Sequence, residues 1–159
     1  MISGLAAVPA DRWEKVSGGI VRTGFWPMSN RYRSFVKQDY WMPNLKIWFV
    51  DGQEAVNALS LDALKKTPGS FWWSRSEQKV YFHLPEGKTL AQCRVQLPAN
   101  AGFYALKPHT EIRDFTVMHS WNDGFDTAVG AKNVRFVNCI AVSNCGQGFS
   151  AHEDTEAGY

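Results

Sequence analysis

Residues 111–117 (Glu-Ile-Arg-Asp-Phe-Thr-Val) and residues 133–139 (Asn-Val-Arg-Phe-Val-Asn-Cys) decide the fold, because the second stretch repeats the pattern of the first. Ile112 matches Val134 at a separation of 22 residues. A strand-only period of about 22 to 24 residues, with Asn at the turns, is typical of stacked coils, since one coil cannot bury its apolar face alone. The spacing therefore predicts parallel strands stacked about 4.8 Å apart.

Two more pairs follow this spacing farther along the chain. Asn122 precedes Asn144 by 22 residues, and Phe125 precedes Phe149 by 24. Vertical alignment of like residues predicts an asparagine ladder bonded along the stack and an internal stack of the two phenylalanines. Residues 95–159 are therefore predicted to form parallel β-helix coils.

The preceding segment has the pattern of short strands joined by turns. Residues 47–56 predict a hairpin in which Asp51 and Gly52 form a type I′ turn, because both central residues tolerate positive φ. Ser60 is placed to cap a short helix over residues 61–66. Two aromatic runs, residues 71–73 and residues 79–84 (Lys-Val-Tyr-Phe-His-Leu), predict a second hairpin. Residues 1–94 are thus predicted to be a small mixed β module with one short helix.

Composition and charge exclude several classes of function. The 159 residues are 45% hydrophobic and 20% charged, which suits a folded chain. Residues 1–94 carry 13 Lys/Arg and 8 Asp/Glu, whereas residues 95–159 carry 4 and 7. Because the acidic excess opposes phosphate binding, we expect no nucleic-acid partner. No apolar run approaches the roughly 18 residues of a membrane-spanning helix, so we expect no membrane partner.

The C-terminal segment resembles right-handed parallel β-helix proteins of the pectate-lyase-like superfamily. Residues 132–139 and 144–149 follow their coil pattern of a strand, an Asn-containing turn and then Gln-Gly-Phe. The earlier segment is similar to a β module of large bacterial members, through Phe-Val-Asp-Gly at 49–52, Pro-Gly-Ser-Phe-Trp-Trp at 68–73 and Val-Tyr-Phe-His-Leu-Pro-Glu-Gly at 80–87. The resemblance implies the opening coils of an all-β, right-handed parallel β-helix. It also implies that the chain is a fragment of a larger protein whose coils continue beyond it.

The same resemblance implies activity on carbohydrate. Its members are mostly polysaccharide lyases, glycoside hydrolases and esterases, with tailspikes and adhesins beside them. We therefore expect a polysaccharide or oligosaccharide partner and an extracellular or periplasmic location. A glycoside hydrolase is the main expectation. The alternatives are a polysaccharide lyase and a non-catalytic, adhesin-like glycan-binding module.

Period-2 alternation predicts which side chains form the site. If Phe125 points inward, Asp126 points outward, and in the next coil Ser150 and His152 do the same. Glycoside hydrolysis needs two carboxyl groups about 5–9.5 Å apart. The predicted catalytic residues are therefore Asp126, His152, Glu153 and Asp154.

Four further residues are expected to bind substrate. Trp121 and Trp41 are predicted to offer apolar walls to sugar rings, and Asp123 and Ser150 to offer polar contacts. The competing interpretation is structural, because Asp before Gly suits a turn and residues 152–154 also suit a solvated turn. No resident cofactor is expected, although clustered carboxylates would also suit Ca²⁺.

Overall fold

The computed structural model describes residues 1–24, 47–152 and 157–158 and is predominantly β. In these ranges the only α-helix is α1, Leu61–Lys66, and short 3₁₀ turns span Ala10–Arg12 and Leu90–Gln92. The strands are β1 (Ile2–Ser3), β2 (Leu5–Ala7), β3 (Glu14–Ser17), β4 (Ile20–Thr23), β5 (Phe49–Val50), β6 (Gln53–Glu54), β7 (Val56–Asn57), β8 (Ser70–Ser74), β9 (Lys79–His83), β10 (Val95–Pro98), β11 (Phe103–Ala105), β12 (Glu111–Arg113), β13 (Thr116–Met118), β14 (Phe125–Thr127), β15 (Val134–Val137), β16 (Ile140–Val142), β17 (Phe149–Ala151) and β18 (Ala157–Gly158).

The chain divides into two compact units. One consists of residues 6–97, and the other combines residues 1–5 with residues 98–159. The sequence-based division into residues 1–94 and residues 95–159 stays a prediction.

The unit of residues 6–97 contains two sheets. Strands β3-β4-β9-β8-β7 form a five-stranded sheet, and β2-β10-β5-β6 form a four-stranded sheet. Large aromatic side chains fill its interior: Trp48 packs against both Trp13 and Phe71, with ring centroids 6.3 and 5.9 Å apart. Trp48 is fully buried. Burial of such side chains is the main source of stability for a small β module.

The local elements predicted for this unit are confirmed. Strands β5 and β6 pair antiparallel across Asp51 and Gly52, whose φ angles are +52° and +82°. The Ser60 hydroxyl accepts a hydrogen bond from the Ala63 amide at 3.1 Å and so caps α1. Strands β8 and β9 form the second hairpin.

The other unit contains three sheets of three parallel strands. Their orders are β1-β13-β16, β11-β14-β17 and β12-β15-β18. The Phe125 and Phe149 rings stack with centroids 4.9 Å apart and an interplanar angle of 9°, so the predicted phenylalanine stack is confirmed. Phe136 packs against both rings.

The pairing between these strands differs from the predicted register. Ile112 pairs with Phe136, 24 residues later, and not with Val134. The asparagine ladder is also wrong: the Asn144 side chain accepts a hydrogen bond from the Ser120 amide at 2.9 Å. A buried backbone N–H without a hydrogen-bond partner is costly. The Asn144 side chain therefore bonds to the Ser120 N–H instead of to another asparagine.

An all-β class is therefore confirmed, but a parallel β-helix is not shown. The described strands lie in five small, separate sheets of three to five strands with mixed orientation. Antiparallel hairpins dominate the unit of residues 6–97, and parallel pairs occur in the other. In the part of the chain that the structure describes, no helix has the length and apolar character needed to cross a membrane.

Candidate functional site

Strand β14 places Asp126 at the centre of the candidate site. All three of its residues are buried, and Asp126 is only 1% exposed. Ser150, its partner on β17, is also buried. The prediction that these two side chains point outward therefore does not place them in solvent. Alternation separates the two faces of a strand, but it does not show that either face meets water.

His152 connects Asp126 to the surface. Its Nε2 lies 2.9 Å from Asp126 Oδ1, and 46% of the His152 side chain is exposed. The contact has ion-pair distance without hydrogen-bond geometry, and neither Asp126 oxygen accepts a hydrogen bond from a described residue. A buried carboxylate of this kind is costly unless a cation or donor balances its charge.

Asp123 contributes the second carboxylate. Its Oδ1 accepts a hydrogen bond from the Gln147 amide at 2.6 Å, and its side chain is also bonded to Ser150. Burial raises the pKa of Asp123, and the nearby charge of Asp126 raises this pKa further, against the lowering effects of the Gln147 amide, Ser150 and His152. Asp123 thus lies in an environment that disfavours its ionised form.

The three side chains converge on one point. Each of Asp123, Asp126 and His152 offers an atom that lies within 4.8 Å of the atoms offered by the other two. Carboxylate oxygens and an imidazole nitrogen at this separation suit either proton transfer or coordination of a metal ion.

The turn before β14 explains why Asp123 and Asp126 lie so close. The buried Ser120 hydroxyl donates a hydrogen bond to the Asp123 carbonyl at 2.8 Å and accepts one from the Asn122 amide. These bonds fix a tight Ser-Trp-Asn-Asp turn, as is common for hydroxyl side chains that bond nearby backbone. A Cβ at Gly146 would lie 2.4 Å from Asp123 Oδ1, so this approach requires glycine.

The structure brings together only part of the predicted site. Asp126 and His152, both predicted as catalytic, are in contact, and Ser150 bonds to Asp123. Trp121 is half-buried, and its amide donates to the Asn100 carbonyl at 3.1 Å. The predicted residues Trp41, Glu153 and Asp154 lie outside the described residues.

Sequence reasoning missed that the carboxyl groups of Asp123 and Asp126 lie close together. It expected Asp123 to bind substrate or to form a turn, and it named Glu153 and Asp154 as the acidic catalytic residues beside Asp126. A signal was present in the spacing Asp-Gly-Phe-Asp at residues 123–126, because a turn that ends at Asp123 can bring its carboxyl group beside that of Asp126.

No family model, curated protein or solved structure matches the chain. The resemblance to the pectate-lyase-like superfamily is therefore wrong as an assignment, and the five small sheets of mixed orientation agree with that correction. The misleading motifs are short strands separated by Asn and Gly turns. Such patterns follow from the chemistry of tight turns, which many unrelated β folds share.

Proposed function

We propose that the chain is a glycoside hydrolase that acts on a polysaccharide, with Asp123 and Asp126 as its pair of carboxyl groups. The observation that carries the proposal is their proximity in a largely buried site, with an oxygen of one within 4.8 Å of an oxygen of the other. Hydrolysis of a glycosidic bond needs one carboxyl group as acid and a second as nucleophile or base.

The separation supports a retaining mechanism. Retaining enzymes place their carboxyl groups about 5–5.5 Å apart, whereas inverting enzymes need about 6.5–9.5 Å to admit a water molecule. One oxygen of Asp123 lies within 4.8 Å of one oxygen of Asp126, which is closer than the inverting range. His152, which contacts Asp126 and is half exposed, would receive a sugar hydroxyl at the mouth of the site.

A hydrolase is favoured over a lyase by the placement of cations. A lyase needs a base, such as Lys, Arg, His or Tyr, near a cation that neutralises the uronate carboxylate of its substrate. In the described residues, Arg113 and Arg135 both form ion pairs with Glu111, at 2.8 and 3.0 Å. These two arginines therefore pair with Glu111 and do not supply the neutralising cation at Asp123 and Asp126.

Three finer expectations stay predictions. A parallel β-helix over residues 95–159 is supported by the parallel pairs, among them Ile112 with Phe136 and Phe125 with Phe149, each 24 residues apart. Catalysis by Glu153 or Asp154 and an extracellular or periplasmic location are the other two. An experimental structure, activity of variants at those positions and localisation in the source cell would check them.

The proposal is tested by release of reducing ends from a panel of plant and algal polysaccharides. We expect Asp123→Asn and Asp126→Asn each to lower kcat at least about 100-fold, because loss of a positioned acid or base costs about that much. Proton NMR of the first product should show retention of the anomeric configuration.

Asp114→Asn is the matched control. Asp114 is exposed, and its Oδ1 accepts a hydrogen bond from the Asn138 side chain at 2.6 Å, away from the site. This variant should keep the activity of the unaltered chain. Full activity of Asp123→Asn and Asp126→Asn on the same glycan would contradict the proposal, and an inverted product would contradict the retaining mechanism.

A further inference from the structure

The Asp126 carboxylate is buried without enough partners for its charge. It is 1% exposed, and neither oxygen accepts a hydrogen bond from a described residue. Its Oδ1 lies 2.9 Å from His152 Nε2, and Asp123 offers an oxygen to the same cluster of atoms. Two buried carboxyl groups and an imidazole nitrogen that converge in this way form a ligand set for a divalent cation.

We propose that Asp123, Asp126 and His152 bind a divalent transition-metal ion of the Zn²⁺ type. The ion would occupy the two carboxylates that the proposed hydrolase uses, so bound Zn²⁺ would block hydrolysis, and the two proposals are tested on separate samples. The three ligand atoms already lie within 4.8 Å of one another. Atoms around a tetrahedral zinc ion lie about 3.3 Å apart, given metal–ligand bonds of about 2.0–2.1 Å, so closure on the ion needs movements of only about 1–1.5 Å.

The ligand types select the class of metal. Ca²⁺ prefers six to eight oxygen ligands, and an imidazole nitrogen is a poor member of such a set. One nitrogen with two carboxylate oxygens suits Zn²⁺, Co²⁺ or Mn²⁺. The earlier expectation of Ca²⁺ is therefore replaced here by a transition metal.

Neighbouring groups orient the Asp123 carboxylate, and the side of the cluster at His152 is open to solvent. The Gln147 amide at 2.6 Å and Ser150 orient the Asp123 carboxylate, as groups outside a metal's ligand set commonly do. The half-exposed His152 lies on the side through which an ion would enter. Three protein ligands leave a fourth tetrahedral position for water.

Titration of the full chain with Zn²⁺ in a calorimeter tests the inference, and Co²⁺ absorption reports the geometry of the bound ion. We expect one Zn²⁺ per chain, bound at least 100-fold more tightly than Ca²⁺ or Mg²⁺. His152→Gln and Asp126→Asn should each weaken Zn²⁺ binding at least 10-fold. His152→Gln changes an exposed residue, so it remains informative if Asp126→Asn impairs folding.

His109→Gln is the matched control. His109 belongs to the same unit, and its Nδ1 lies 3.3 Å from the Asn133 side chain rather than near the cluster. Zn²⁺ binding should be unchanged in this variant. Equal binding by the unaltered chain and His152→Gln would overturn the inference, as would a loss in His109→Gln as large as in His152→Gln.

The two proposals fail separately. Zn²⁺ binding by a chain that hydrolyses no glycan after metal removal with EDTA supports the metal site and counts against the proposed function. Hydrolysis without Zn²⁺ binding overturns the metal site and leaves the proposed function standing.

Discussion

At the scale of single residues, the missing side chain of Gly146 leaves the space that the Asp123 carboxyl group occupies. A Cβ there would lie 2.4 Å from Asp123 Oδ1 and 2.9 Å from the Asn122 carbonyl carbon. Because one of these atoms is backbone, the side chain cannot be accommodated by a simple rotation. Asp123 and the turn that carries it would have to move.

Gly146→Ala should therefore damage both stability and site. We expect a loss of about 1–3 kcal/mol in the free energy of unfolding, as for other overpacked positions, measured by urea denaturation. Zn²⁺ affinity should fall in the same variant, because Asp123 is displaced. Gly148→Ala is the control: its Cβ would lie 3.3 Å from the Ala141 Cβ, and a shift of a few tenths of an ångström relieves that contact. Equal stability of Gly146→Ala and the unaltered chain would show that the turn adapts freely.

Asp126 shows what sequence can and cannot predict about a single residue. Its membership of the site was predicted from the spacing of Gly124-Phe125 and Gly148-Phe149. Its burial was not, since alternation along a strand contains no information about what covers each face. Contact between Asp126 and His152, 26 positions apart, depends on strand pairing, which a local pattern cannot fix.

At the scale of elements, the hairpin of β5 and β6 is held by the side chain at its turn. Asp51 Oδ1 accepts a hydrogen bond from the Arg94 amide at 2.7 Å, and Oδ2 lies 2.7 Å from Lys88 Nζ. The Arg94 amide chiefly, and Lys88 next, lower the pKa of Asp51. A carboxylate with a lowered pKa stabilises the fold above its unfolded pKa of about 3.9, and this contribution is lost as the pH falls through its folded value.

Asp51→Asn isolates this charge, because Asn also tolerates positive φ and still accepts the Arg94 hydrogen bond. At pH 7 the variant should be less stable than the unaltered chain. The difference should shrink as the pH falls below about 4. Urea denaturation at pH 7 and pH 3 measures both values, with Glu54→Gln on β6 as the control that changes one charge nearby. A difference that is constant with pH would show that the Asp51 charge adds nothing to folding.

Elements were predicted well where local chemistry decides them. The Asp51-Gly52 turn and the Ser60 cap depend on residues adjacent in sequence, and both are present. The register of parallel strands was predicted less well, by two residues at Ile112. Turn length sets that register, and a pattern of apolar residues tolerates slips of two without moving a side chain to the other face.

At the scale of the whole molecule, residues 2–3 form a strand that no sequence motif predicted. Strand β1 pairs in parallel with β13, Ile2 with Val117 and Ser3 with Met118. Residues 1–5 therefore belong to the same compact unit as residues 98–159. A two-residue strand has no periodicity to detect, and a contact across more than 100 positions is set by the folded chain rather than by local sequence.

Removal of Ile2, Ser3 and Gly4 should therefore weaken the unit formed with residues 98–159. Gly4 donates to the Met118 carbonyl at 3.0 Å, and its own carbonyl accepts from the Ala99 amide at 2.9 Å. Each backbone hydrogen bond contributes about 0.5–1.5 kcal/mol net, so the loss of these two bonds alone should cost about 1–3 kcal/mol. Hydrogen exchange of the amides of β13 should accelerate, because that strand becomes an edge of its sheet. Ile2→Thr, which keeps every backbone bond at a half-exposed position, should leave β13 exchange unchanged. Equal β13 protection in the deleted and unaltered chains would show that β1 contributes nothing to this sheet.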